Sequence, residues 1–398
     1  MFLTPAVMCW PRFAGARLLP GPGHWVVRLS LLLAVGDAAG LSPAQNVVVW
    51  GDLRSSQGPW AVPPADLTNA VVAAGGWYHA LALRADGGAE TWGMGYPVPP
   101  QLTNVLAISA GYFDSAVVQA NGTVTVWGYN AYGETNAPPS LTNAVAVAAG
   151  AYHVLALRSD QTVVAWGGNI GFSGAFVNQT NPPAGLSNVV AFAAGDCCSL
   201  ALRADGTVVA WGDNTYGQTN VPPDLTNAVA VTAGAYHCAA LRADGTVAAW
   251  GDSTYGQTAI PGDLTNGVAI VAGAGHTLAL RSDGTVTAWG SNGFGQTNVP
   301  AGLTSVVAIG AAGTYSIAVT NTTPPQQHAL MPNPVLAGGR LTFRVPTQRG
   351  KVYGLEYSVS LASPRWGLLP LVAGTGAFVD LVDPAVDTGS RFYRVRRW

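Results

Sequence analysis

Apolar and polar positions along this chain alternate in short runs, with no stripe of helical period. A run of small apolar residues ends in Gly, and a second apolar run begins three residues later. A two-residue polar turn follows, and a third run closes on Trp-Gly. One copy shows the order: residues 229–233 before Gly234, then residues 237–242, the turn Asp244-Gly245, and residues 246–251 ending in Trp250-Gly251. Runs of this length bounded by Gly, Asp and Asn read as β-strands. Asp-Gly between two such runs marks a hairpin, because both residues tolerate positive φ. The turn recurs as Asp86-Gly87, Asn121-Gly122, Asp205-Gly206 and Asp283-Gly284, whereas Asp160-Gln161 is an exception. Past Trp-Gly, prolines such as Pro222-Pro223 exclude a central strand.

The unit repeats. Trp-Gly occurs at Trp50, Trp92, Trp127, Trp166, Trp211, Trp250 and Trp289, at intervals of 42, 35, 39, 45, 39 and 39 residues. A fixed period of this size means one supersecondary unit copied along a solenoid or around a ring. Leu-Thr-Asn, with variants, opens seven copies at Leu67, Leu102, Leu141, Leu186, Leu225, Leu264 and Leu303. The last copy has no Trp-Gly strand after it, and the first Trp-Gly strand, residues 46–51, has no hairpin before it. Front and back halves match only if the ends meet. The expected fold is therefore all-β: a seven-bladed β-propeller closed by the N-terminal strand, plus a small C-terminal β-sandwich-like module. Closure removes free sheet edges. The repeated Trp is expected to fill space between neighbouring sheets.

Composition refines this picture. Only 10% of the 398 residues are charged and 50 are Gly, which suits many short strands and tight turns. A net charge of −2 provides no basic footprint, so nucleic acid is not an expected partner. At the N-terminus Arg28 precedes the apolar residues 29–35, and Ser42-Pro43-Ala44 places small residues before Gln45. This is the layout of a signal peptide, and the run is too short to span a membrane. The expected organisation is a signal or extended N-region over 1–44, the propeller over 45–322, a Pro/Gln-rich linker over 323–338 and the all-β module over 339–398. The expected location is extracellular or at the cell surface. Cys9 leaves with the signal, and Cys197, Cys198 and Cys238 remain. Either one of the adjacent pair meets Cys238 from the next copy, or all three are small core residues.

Two columns of residues run through the copies. His79, Asp114, His153, Cys198, His237, His276 and Ser316 follow the Gly of each copy. Ring members of this kind are splayed, so a hydrogen bond that pins the turn within each blade is expected rather than a metal site. Beside them stand Trp77, Tyr78, Tyr112, Phe113, Tyr152, Tyr236 and Tyr315. Falling between the first two strands, they should share one end of the ring. They are either an interaction face or rim packing. The fourth Trp-Gly loop is six residues longer than the common copy, and insertions in repeat loops often carry specificity. No nucleophile elbow, phosphate loop or paired catalytic carboxylates occur in the sequence.

The string Gly-x-x-His-x-x-x-Leu-x-x-Asp-Gly-x-Val-x-x-Trp-Gly-x-Asn-x-x-Gly-Gln resembles the repeat of the regulator-of-chromosome-condensation (RCC1) family. Residues 195–218 and 234–257 show it best, the first with Cys198 for His and the second with Ser253 for Asn. The short copies are similar to bacterial members such as β-lactamase-inhibitor protein II. That resemblance implies binding of another protein across one propeller face. Nucleotide exchange and chromatin binding, known in the wider family, are set aside because of the signal layout and near-zero charge. The expectation is a secreted, non-enzymatic, monomeric binding scaffold without cofactor, with a protein as partner. The alternatives are a carbohydrate-binding or structural cell-surface repeat and, further off, a hydrolase or lyase with a channel site.

Overall fold

The computed structural model describes residues 45–321 except 53, 56–57, 60–61, 95 and 172–173. Beyond these it describes 335–337, 340–347, 351–358, 367–369, 371–373, 375, 378–383 and 392–397. The signal-like segment 1–44, Cys9 and most of the linker lie outside the described residues.

Residues 45–321 form seven three-stranded antiparallel sheets, the blades of a β-propeller. Blade 1 comprises Ala70–Gly75, His79–Arg84 and Ala89–Gly93 as inner, middle and outer strands. Blades 2 to 6 repeat this order, with middle strands Asp114–Gln119, His153–Arg158, Cys198–Arg203, His237–Arg242 and His276–Arg281. Blade 7 pairs Val306–Ala311 with Tyr315–Asn321, and its outer strand is Gln45–Gly51 from the start of the chain. That strand registers along its whole length, from Gln45 opposite Asn321 to Gly51 opposite Tyr315. Each inner strand lies against the next, and blade 7 returns to blade 1.

The middle strands carry the core. Five consecutive residues of each are buried in blades 1 to 6, as expected of strands covered on both faces by neighbouring blades. Near the axis the sheets approach so closely that only glycine fits. A Cβ on Gly76, Gly111, Gly150, Gly195, Gly234 or Gly273 would strike a carbonyl oxygen of the next blade. Blade 7 has Ala312 at this position, and blade 1 makes room for its methyl with Gly75, where the other blades have Ala.

Strand pairing fixes the two ends of the ring. The first residue of each middle strand opposes the last of its outer strand, as in His79 with Gly93. The loops after the ring glycines and after Trp-Gly therefore share one end. The Asp-Gly turns and the Leu-Thr-Asn segments share the other. In those turns the Asp carboxylate accepts from the backbone N–H and hydroxyl of a Thr two residues on, as in Asp205 with Thr207.

Among the described residues, the C-terminal module has two sheets. One joins Val335–Ala337, Arg340–Pro346 and Phe378–Asp383; the other centres on Val352–Ser358, flanked by Gly367–Leu368, Val372–Ala373 and Phe392–Arg397. Phe343, Val345, Tyr353, Leu355 and Leu381 from both sheets share a core. The strand at 335–337 falls inside the stretch read as linker.

This module docks on the turn end of blade 3, at the exceptional Asp160-Gln161 turn. Gln161 adopts φ +70°, and its Nε2 donates to the Leu369 carbonyl at 3.2 Å. The Leu371 N–H donates to the Ser159 carbonyl at 2.9 Å. Each inner strand has a bulge after its first residue. Val352, Leu371 and Ala373 join the cluster that includes the bulge residues Leu106, Val145 and Val190 of blades 2 to 4. Those three are buried, whereas Val268 and Val307 of blades 6 and 7 stay exposed.

Candidate interaction face

The histidine column does not pin turns within blades, as the sequence suggested; its bonds run between blades. Nε2 of His79, His153, His237 and His276 meets the hydroxyl of Ser115, Ser199, Thr277 and Ser316, each on the next blade, at 2.9 to 3.0 Å. Ser199, Thr277 and Ser316 donate their own hydrogens to the carbonyls of Gln179, Gln257 and Gln296. Those hydroxyls must therefore accept from the imidazole, so Nε2 carries the proton and Nδ1 does not. Burial holds the rings neutral, at about 4 for His79 and His237 and about 3 for His153 and His276.

Ser316 is thus the acceptor of this link rather than a member of the column. Tyr315 occupies the column position, opposite Gly51 as His276 stands opposite Gly290. It is fully buried, and its hydroxyl reaches the carbonyls of Gly76 and His79 at 3.2 and 2.6 Å. Its assignment to the aromatic surface is corrected: Tyr315 locks blade 7 to blade 1. Cys198 and Cys238 form the same kind of link, with sulfurs 3.9 Å apart and both thiols free.

The link is absent between blades 2 and 3. Blade 3 offers Val154 where blades 2, 4, 6 and 7 offer a hydroxyl and blade 5 a thiol, and Asp114 of blade 2 stands where blades 1, 3, 5 and 6 have His. Asp114 is buried, its Oδ2 has no hydrogen-bond partner, and burial raises its pKa well above the usual carboxylate range. Installing the missing pair by Asp114→His with Val154→Ser is expected to raise stability by about 1–3 kcal/mol, read from urea midpoints. Each single change should gain less than half of that.

The tryptophans make a second interblade link. Nε1 of Trp166, Trp211, Trp250 and Trp289 donates to the carbonyl of Glu134, Gln179, Gln218 and Gln257 on the preceding loop, at 2.8 to 3.0 Å. The repeated His, Trp and Gln positions are consumed by architecture. Among the described residues no three His, Cys, Asp or Glu side chains are placed to share a metal ion.

What varies around the ring lies on the loop end. Trp77 stacks on Tyr112 at 4.8 Å, Tyr78 stacks on Phe113 at 5.0 Å, and Tyr112 stacks on Tyr152 at 6.4 Å. The network extends to Tyr129 and Tyr132, and a separate pair joins Tyr216 with Tyr236 at 4.8 Å. Six of the seven residues read from sequence share this end. Sequence reasoning missed Tyr132, Tyr216, Tyr255 and Phe294, all exposed. Their signal was available: each precedes the Gly of a Gly-Gln or Gly-Glu pair. The long fourth loop also rises here, with a bridge between Ile170 and Phe176 that leaves Phe176 68% exposed.

Four segments, 144–170, 189–218, 228–257 and 268–296, match the family described as Regulator of chromosome condensation (RCC1) repeat. Blades 3 to 6 carry RCC1 repeats. The chain is similar in structure to Prp20p from Saccharomyces cerevisiae, with a TM-score of 0.57 and 19% identity over 71% of this chain and 93% of that one. It is also similar to human WBSCR16, with a TM-score of 0.52 and 20% identity over 70% and 99%. A third likeness is to the ectodomain of the Physcomitrella patens receptor kinase CR4, with a TM-score of 0.50 and 25% identity over 68% and 76%. No curated protein sequence matches the chain.

Proposed function

We propose that this RCC1-repeat propeller is a secreted scaffold that binds a protein partner through its loop end. The observation that carries the reading is the aromatic surface over blades 1 to 3, continued by Tyr216, Tyr236, Tyr255 and Phe294. Rigid aromatic side chains bury large areas at little entropic cost, which is what binding hot spots require. The opposite end is partly covered by the chain's own C-terminal module. Among similar structures, that of Prp20p is described together with its binding to Gsp1p and histones, and yeast RCC1 was solved bound to Kap60. Catalysis has no comparable support, since the repeated polar positions are spent on links between blades.

The test is paired pull-down from the native extracellular fraction. Tyr152→Ala with Tyr236→Ala should reduce recovery of a specific partner about tenfold or more, as loss of two hot-spot aromatics implies. Asp224→Ala, on the turn end, should leave recovery unchanged. Equal recovery with all three proteins would refute use of the aromatic end. Retention on a glycan array, lost in the tyrosine variant, would move the reading to carbohydrate.

A further inference from the structure

The residues that follow the ring glycines form the innermost circle of the loop end: Trp77, Tyr112, Ala151, Asp196, Ala235, Ala274 and, after Ala312, Gly313. Asp196 is the one carboxylate in that circle. Its backbone is held by the ring, the Asp196 N–H donating to the Gly234 carbonyl at 3.3 Å. Its Oδ2 is enclosed and has no hydrogen-bond partner. Burial pushes the Asp196 carboxyl up to about 7. Beside it the axial channel opens into a cup of about 70 Å³, lined by Trp77, Tyr112, Asp196, Ala274 and the ring glycines.

An enclosed carboxylate oxygen without a donor is expensive, and its natural complement is a cation. The arginines that end the middle strands, Arg84, Arg158, Arg203, Arg242 and Arg281, stand at the opposite end of the ring and cannot reach it. We propose that this axial cup binds a primary ammonium group, the tip of a lysine side chain presented by the protein partner.

The chemistry fits in three respects. An ammonium has three N–H donors, and Oδ2 is a free acceptor for one of them. Trp77 and Tyr112 line the same cup, so aromatic side chains flank the charge. The cup offers about 70 Å³ where a single water needs roughly 10–15 Å³, so an ammonium head fits, and a trimethylated one lacks the N–H donors that Oδ2 would accept from. A lysine stem would lie along Tyr152 and Tyr236 at the rim, where an alkyl chain keeps apolar contact. The rim consists of side chains, so admitting the group needs rotamer changes and leaves the ring intact.

The proposal rests on the protein-binding reading for its source of lysine, yet the site can be tested without a partner. The full chain is titrated with n-butylammonium, with n-pentanol as the neutral analogue and tetramethylammonium as the one without N–H donors. Binding is read by calorimetry and by the Trp77 indole N–H resonance. The expected result is saturable binding of n-butylammonium alone, with movement of that resonance. Asp196→Asn should weaken it about tenfold or more, the loss of one charge-assisted contact. Ala274→Leu, which fills the cup and spares the carboxylate, should abolish it and serves if Asp196→Asn misfolds. No binding, equal binding of n-pentanol, or undiminished binding in both variants would overturn the site. Failure of the tyrosine pull-down with n-butylammonium binding intact would instead remove the protein partner and leave the cup.

Discussion

A chain beginning at residue 53 is expected to lose the cooperative unfolding of a chain beginning at residue 45. Gln45–Gly51 supplies the whole outer strand of blade 7. Without it the middle strand Tyr315–Asn321 becomes an open edge that presents unpaired backbone groups. Trp50, buried among Leu278, Leu280, Val306 and Ala318, leaves a hole between blades 6 and 7. Removing a buried Trp side chain costs about 3–5 kcal/mol before any backbone pairing is counted. At about 2–4 °C per kcal/mol that loss alone lowers the melting temperature by about 6–20 °C. Aggregation through the open edge should follow at micromolar concentration. A synthetic peptide of residues 45–52 added in trans should restore the transition, as strand addition does at other open edges. An unchanged melt in the truncated chain would show that the ring does not depend on this closure.

Acid should weaken the ring well before its surface carboxylates titrate. Four imidazoles are held neutral in the fold at about 3 to 4, against about 6.5 in an unfolded chain. Their folded pKa values are depressed, so the unfolded state binds the extra protons as pH falls. The stability they contribute is complete above about pH 6.5 and is lost on descent toward pH 3–4. Asp114, Asp196 and Glu134 act with the opposite sign, since burial raises them and the fold keeps their protons. Four protons against at most three leave a net slope of about 1–3 kcal/mol per pH unit near pH 5, at 1.36 kcal/mol per proton. Urea midpoints measured from about pH 6 to pH 4.5 should fall steadily, since above that window the raised carboxyls offset the imidazoles. A non-titrating donor at one site, His276→Asn, should flatten the slope by about one proton. A midpoint independent of pH across that window would contradict the buried neutral state.

Much of the architecture is legible because it is written in local chemistry repeated many times. Asp-Gly turns, apolar runs of strand length and Trp-Gly endings each report a backbone state, and their count gives blades and closure. The aromatic loops gather at one end by the same logic, since strand order alone decides which loops are neighbours. Tyr315 was misplaced because its copy has no Trp-Gly strand after it. Counting from the unusual Ala312-Gly313 shifted its column by one residue. Tyr132, Tyr216, Tyr255 and Phe294 were passed over because their motif is dominated by Gly and Gln.

The sequence by itself determined the repeat, the strand order and the end of the ring at which the loops gather, because each depends on residues close together in the chain. Tertiary structure alone decided the links between blades. His153 and Ser199, or Tyr315 and Gly76, are 46 and 239 residues apart, and no local rule pairs them. It also decided that the Asp160-Gln161 turn carries the C-terminal module and that Asp196 lines one cup with Trp77 and Tyr112 of other blades. Both outcomes arise where distant segments converge, so the environment that gives a residue its chemistry comes from parts of the chain its own neighbourhood does not contain.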